Sequence, residues 1–308
     1  MIFNINNFTD KTQIQAVPST NSSLTYNGSS QSPTWLDYDS EQLSISGDTS
    51  AINAGTYTTY FTPKAHYEWT DGTTGAKPVT WTIAKANGSL SLSASSGTIR
   101  YVNGTAKFTV TRTGDGVISV KSSNIKIATV SISGTKVTIA PTGSGTTTIT
   151  VSVAEGTNYK APSNKTYEVT AQGYLIYDGV PCYDVVGVGK APQSGYSSVS
   201  SVTTRQYDGY YYISTSDAGY GMAYLDTKVD LTNYSNLSIS GTFAQDSTSY
   251  NSLSAWTSIG SYIANGRVSV VTLGSTGASK DISKLSSKVY IGLSLKEKAQ
   301  KITTLRLT

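Results

Sequence analysis

Chemistry on a protein needs nucleophiles, bases or metal ligands within reach of one another, and this chain of 308 residues carries few of them. His66 is its one histidine and Cys182 its one cysteine, so a Ser-His-Asp triad or a Cys-His dyad would have to be built around His66 alone. No nucleophile motif accompanies Ala65-His-Tyr-Glu-Trp69, which reads as part of a strand, and a solvated or core-edge imidazole is expected there. Zinc takes three or four His, Cys or carboxylate ligands, which one imidazole and one thiol do not supply. Neither a Walker loop nor a G-x-G-x-x-G after a strand is present, and Gly114-Asp-Gly116 and Gly143-Ser-Gly145 read as hairpin glycines. Asp-x-Asp-x-Asp spacing for calcium is also missing. No metal site and no cofactor is expected.

A glycosidase needs only two carboxylates about 5 to 10 Å apart, so acids merit a separate look. Beyond residue 172 they are Asp178, Asp184, Asp208, Asp217, Asp226, Asp230, Asp246, Asp281 and Glu297. Several stand in Asp-Gly or Asp-Ala-Gly, where aspartate favours the bend itself. The expectation is a protein that is not an enzyme.

Aromatic residues are the more informative set. Fourteen of the 22 tyrosines lie from Tyr174 onward, including Tyr210-Tyr-Tyr212. On a strand, Tyr210 and Tyr212 face one side and Tyr211 and Ile213 the other. Tyrosine and tryptophan offer flat faces for sugar stacking together with a polar handle. Tyr210 and Tyr212, with Tyr250, Trp256 and Tyr262 near turns, are the candidate ligand contacts. The same enrichment suits core filling or subunit packing.

Composition says what elements hold these residues. Charged residues make up only 14% of the chain, replaced by Ser, Thr, Gly, Asn and Tyr, which disfavours helices and suits strands joined by tight turns. No stretch shows helical apolar spacing, so the fold class is all-β. The net charge of +4 comes without a basic stripe, and nucleic acid is not an expected partner. The mildly basic residues 296–301 read as a solvated hairpin. A single cysteine excludes an intrachain disulfide, no apolar run reaches the eighteen residues of a membrane span, and residues 1–10 lack the charged and apolar regions of a secretion leader.

Four segments follow. Residues 1–12 form an arm with Ile2, Ile5 and Phe8. Residues 13–86 show short strands, an Asn27-Gly28 suited to a type I′ hairpin, a tight Asp71-Gly72 turn, and Val79-Thr-Trp-Thr-Ile83 with Val79, Trp81 and Ile83 on one side. Here "LTYNGSSQSP", "NAGTY" and "VTWTIAKA" resemble the glycine-rich bacterial repeat domains called MBG. Residues 85–88 read as a linker into a second module, residues 87–172. Its Ser122-Ser-Asn124 before "IATV" and its glycine turn before "TTTITV" resemble bacterial immunoglobulin-like domains of group 2, which implies a two-sheet sandwich with a Val/Ile/Phe core. Residues 173–308 alternate over long runs that suggest a jelly roll, and resemble galactose-binding and carbohydrate-binding-module sandwiches in strand order.

The resemblances imply tandem Ig-like β-sandwiches and a jelly-roll-like sandwich, displayed on a bacteriophage virion as a head fibre, capsid decoration or tail-associated adhesin. Group 2 Ig-like modules occur on bacterial surfaces and on virions, and a virion part assembles in the host cytoplasm without a leader. The expected partners are other capsid or tail proteins and bacterial surface or environmental glycans, with oligomers allowed. The alternatives are a bacterial cell-surface or secreted adhesin, a carbohydrate-active enzyme with Ig-like spacers, and a spacer without a ligand.

Overall fold

A computed structural model describes residues 11–189, 202–215, 220–244, 251–258, 267–285, 288–296 and 299–308. Among these the secondary structure is strand and turn throughout, and the fold is all-β, built of packed sheets. The chain divides into two compact units. The first comprises Met1–Ser91, Thr111–Ser119 and Ser152–Asn164; the second comprises Leu92–Val110, Val120–Val151 and Lys165–Thr308. Segments of residues 87–172 therefore contribute to both.

In the first unit a four-stranded sheet runs in the order Leu24–Thr25, Lys77–Ala84, Gly55–Pro63, Leu43–Gly47. Alternation sets its faces: Trp81 and Ile83 are buried and Val79 half-buried, while Pro78, Thr80 and Thr82 are exposed, as period two requires. The Trp81 indole N–H donates to the Asp48 carbonyl at 2.9 Å, satisfying its one polar atom inside the unit. Thr12–Ile14 pairs in parallel with Tyr67–Trp69, and Ile14, Leu43, Phe61 and Trp69 form a buried cluster.

Three local expectations change. Asn27-Gly28 is not a hairpin turn: only Gly28 has a positive φ (82°), and the preceding strand Leu24–Thr25 pairs in parallel with Lys77–Ala84. With no antiparallel partner following, the Asn27 side chain instead accepts a hydrogen bond from the Ser29 amide at 2.9 Å. Residues 85–88 are anchored rather than a free linker, since Ala86–Asn87 pairs with Tyr159–Lys160 and Lys85 meets Glu155 at 2.5 Å. His66 lies in a turn before its strand, with φ 72°.

The second unit is organised by one long strand, Lys165–Tyr177. Its first half pairs antiparallel with Gly145–Val153, and its second half with the C-terminal strand Gln300–Leu307. The strand thus runs unbroken through position 172, carrying Ig-like strands and the C-terminal sandwich on one backbone. At the crossing, Gly173 takes a left-handed φ of 74°, and the register with Gln300–Leu307 shifts between Tyr174 and Ile176. Along the Ig-like part, Phe108, Val137, Ile139, Ile149, Tyr167 and Val169 are buried, with the Phe108 and Tyr167 rings stacked at 4.5 Å.

The C-terminal sandwich places Asn236–Phe243, Gln300–Leu307, Tyr210–Thr215 and Val202–Tyr207 in the sheet that contains the long strand. The facing sheet runs Val185–Gly189, Tyr220–Leu225, Lys288–Lys296, Ser252–Trp256, Arg267–Thr272. Ile213, Ile239, Ile302 and Leu305 from the first meet Ala223, Leu253, Ile291 and Leu293 from the second in one core. Lys288–Lys296 and Gln300–Leu307 lie in different sheets and do not pair with each other, so they are not the two arms of the hairpin expected over 296–301.

Candidate ligand-binding face

Among the described residues, the core of the C-terminal sandwich is tightly filled. A void of about 20 Å³ lined by Ile176, Tyr211, Ile213, Leu225, Ile291 and neighbouring residues is little more than one water in size, and its walls are apolar. Ligand pockets typically run to about 300 Å³ or more, so this void is too small to be one, and the outer sheet face is the next surface to consider.

Strand alternation builds such a face. In Tyr210–Thr215, Tyr211, Ile213 and Thr215 are buried while Tyr210 and Tyr212 are half-exposed, as the period-two reading requires. Tyr212 stands opposite Arg205 on one neighbouring strand and opposite Lys301 on the other, and Tyr210 stands opposite Tyr207. Tyr207 is 65% exposed, which leaves one side of the group open to solvent. Ring centroids lie 6.1 Å apart for Tyr210 and Tyr212 and 6.3 Å for Tyr207 and Tyr212. The Arg205 guanidinium sits 5.3 Å from the Tyr212 centroid, and the Lys301 ammonium 5.3 Å from Tyr212 and 5.7 Å from Tyr210. Cations at such distances are attracted by the ring quadrupole, which orders side chains that would otherwise sample many rotamers.

A second group of the same kind lies farther along Gln300–Leu307. Tyr174 and Tyr177 pack edge to face at 4.8 Å. Arg306 covers Tyr174 at 5.1 Å, Arg100 covers Tyr177 at 4.3 Å, and the Arg306 Nε–H donates to the Gln172 carbonyl at 2.8 Å. Because Ile302, Leu305 and Leu307 point inward, Lys301, Thr304 and Arg306 share the outer side. Across from them Ser240 meets Thr304 hydroxyl to hydroxyl at 2.6 Å, and Ser238 stands opposite Arg306. The face therefore combines flat rings, fixed cations and hydroxyls.

The other expected contacts fall differently. Trp256 is inside: 1% exposed, it clusters with Met222 and Tyr224, with Tyr290 packed against them, so its indole offers no flat surface to solvent. Its strand, Ser252–Trp256, is buried along its whole length, which its small residues and the absence of charge allow. Among the described residues the Trp256 indole N–H has no hydrogen-bond partner. Tyr250 and Tyr262 lie outside the described residues. Arg205, Tyr207, Lys301, Tyr174, Tyr177, Arg100 and Arg306 were not legible as site residues. Their strands are far apart in sequence, and strict alternation would put Lys301 and Arg306, five residues apart, on opposite sides; the bulge opposite Ser240 and Gly241 brings them to one side.

Two of the acids of this region lie in tight turns. Asp178-Gly179 and Asp208-Gly209 both have two left-handed residues (φ 49° and 70°, 49° and 72°), the type I′ geometry of two-residue hairpins, so both aspartates serve their bends. Among the described residues no three His, Cys, Asp or Glu side chains are grouped to hold a metal ion. Burial against the sandwich core pushes the Cys182 thiol up to about 12, so at neutral pH it stays protonated and is a poor nucleophile. Burial likewise raises the Tyr234 phenol to about 12.

A pH dependence follows. The ordinary values are 9.0 for the thiol and 10.0 for the phenol, so in alkali the unfolded chain ionises first. The stability held by these neutral groups is whole below pH 9 and lost as pH rises from about 9 to 12. Urea midpoints are expected to be level from pH 7 to 8.5 and to fall above 9, with Cys182 reacting with a thiol reagent only on unfolding. A level midpoint to pH 11 would contradict this.

No family model matches the chain, and no curated protein matches it. Among solved structures, domains 4 and 5 of the S-layer protein SbsC are similar at 15% identity and a TM-score of 0.25, covering 50% of this chain and 96% of that one. Domains 4–9 of the same protein match at 16% identity and 0.25, covering 85% and 37%. The human desmocollin-1 ectodomain matches at 10% and 0.25, covering 94% and 79%. Scores this low carry no argument about function.

Proposed function

We propose that the protein is a non-enzymatic adhesion protein whose C-terminal sandwich grips a glycan on its outer face, carried on a phage particle as a head fibre, capsid decoration or tail-associated part. The observation that carries the binding half is the pair of tyrosine groups, Tyr207/Tyr210/Tyr212 and Tyr174/Tyr177, set on one sheet with cations fixed over their rings. Sugar rings present C–H faces that stack on tyrosine, and hydroxyls such as Ser240 and Thr304 suit their edges. The virion setting rests on the resemblance of residues 87–172 to group 2 Ig-like modules. Each contact is weak, and many copies on one particle raise avidity by about 10² to 10⁴.

Purified chain is expected to be retained on bacterial envelopes or their extracted polysaccharide, and Tyr212→Ala to weaken retention roughly tenfold. Absence of binding to any envelope or glycan would remove the adhesion reading. Mass spectrometry of purified particles tests the setting, and failure to find the chain there removes it. A carbohydrate-active enzyme is the competing reading; glycan cleavage lost in Asp178→Asn or Asp208→Asn would establish it instead.

A further inference from the structure

We propose that the glycan held on this face is acidic, a polysaccharide bearing phosphate or carboxylate groups. The inference rests on the adhesion reading and adds the ligand's chemistry. Four cations border the five tyrosines: Arg205 and Lys301 in one group, Arg100 and Arg306 in the other. None of the four is in an ion pair among the described residues, where ion pairs occur only at Lys77–Asp71 and Lys85–Glu155. A cation over a ring is held in place but keeps its charge, and guanidinium presents a planar fork that matches carboxylate and phosphate.

The acids nearest these rows, Asp178 and Asp208, directly follow Tyr177 and Tyr207, and among the described residues neither is in an ion pair with the four cations. Asp178 and Asp208 sit in the hairpin turns, Glu168 lies in the Ig-like half of the long strand, and Asp281 is at the sheet margin, its carboxylate held by the Ser283 hydroxyl and amide. Arg205, Tyr212, Lys301 and Thr242 form one row across four strands with no carboxylate in it. A neutral sugar would gain from the rings and hydroxyls but little from four cations that are held in no ion pair. An anionic chain pairs with those cations and uses the rings as well. Lys301 and Arg306 are five residues apart on one strand, roughly 16 Å at the strand rise, so one extended chain can engage both groups.

The test is titration calorimetry of the full chain against four probes in two pairs: mannan with phosphomannan, and polygalacturonate with its methyl ester. Inorganic polyphosphate serves as an anion without sugar rings. The expected result is at least tenfold tighter binding to the charged member of one or both pairs, and which pair shows it identifies the anion. Arg205→Gln with Lys301→Gln should weaken that binding tenfold or more and lower the salt slope by about 0.7 per cation. Tyr212→Ala should weaken the acidic glycan but leave polyphosphate unchanged. Arg205 is exposed, so Arg205→Gln alone keeps the test open should other variants fold poorly.

Equal binding of the neutral and charged members would overturn the acidic ligand while leaving adhesion standing. Binding of polyphosphate as tight as that of the glycans, and indifferent to Tyr212→Ala, would reduce the face to a plain ion exchanger and overturn it too. Binding to none of the probes, with envelopes still retained, ends the acidic-glycan inference alone; loss of both ends the adhesion reading as well.

Discussion

Trp69→Ala is expected to destabilise the N-terminal unit by about 3 to 5 kcal/mol, the cost of emptying a buried indole site. Trp69 is 1% exposed and shares its cluster with Ile14, Leu43 and Phe61, of which it is the largest side chain. Half-buried Val17, Trp35, Tyr38, Ile45, Tyr67 and Val79 lean on that cluster and cannot all collapse into the gap. Its indole N–H donates to the Gly75 carbonyl at 2.8 Å, and the Lys77 ammonium lies 5.1 Å from its ring. Small cores supply only a few kcal/mol in total, so this one change is expected to leave the unit largely unfolded at 37 °C. Amide exchange in Leu43–Gly47 and Gly55–Pro63 reads it out directly. Trp69→Phe keeps most of the ring and gives up the hydrogen bond, and a loss of about 1 to 2 kcal/mol is expected. Near-native protection in Trp69→Ala would show that the ring is not the keystone of the cluster.

The second large effect lies where the long strand passes from the Ig-like strands into the C-terminal sandwich. Gly173 has φ 74°, and a Cβ placed there would come 2.2 Å from the Leu307 carbonyl oxygen. Backbone cannot step aside as a side-chain tip can, so Gly173→Ala combines left-handed strain with a clash that must open the pairing to Gln300–Leu307. About 3 kcal/mol or more is expected from the two together. Gly72→Ala is the matched control, because its φ is 77° and nothing lies within 4 Å of the added carbon. It keeps the strain and omits the clash, and should cost about 1 to 2 kcal/mol. Denaturant unfolding of both variants separates the two causes, and equal losses would mean that the close approach to Leu307 carries no weight. Because Tyr174 and Tyr177 follow directly, Gly173→Ala should also weaken glycan binding more than its loss of stability explains.

The Gly173 case shows where sequence reading stops. Gln172-Gly173 reads as the opening of a new region, because glycine and a change of pattern usually mark a break. Here the glycine is a kink inside a 13-residue strand, and only the pairing of its two halves with Gly145–Val153 and Gln300–Leu307 reveals it. The linker reading of residues 85–88 meets the same limit, since their partners at Tyr159–Lys160 lie more than seventy residues away. Trp256 stands near a turn and reads as a rim residue, yet its strand is sealed on both faces.

By itself the sequence determined the all-β class and the division of sides within the regular strands: Tyr210 and Tyr212 away from Tyr211 and Ile213, Trp81 and Ile83 inward, aspartates given to bends. Those are local properties, set by the two-residue period of a strand and by turn residues that accept a left-handed backbone. Which strands lie side by side is a property of pairing between distant segments. That alone brought Arg205, Lys301 and Arg306 over the tyrosines, put Tyr174 and Tyr177 on the same sheet, and turned Trp256 inward. Alternation tells a side chain which side it is on; neighbouring strands decide what else is there.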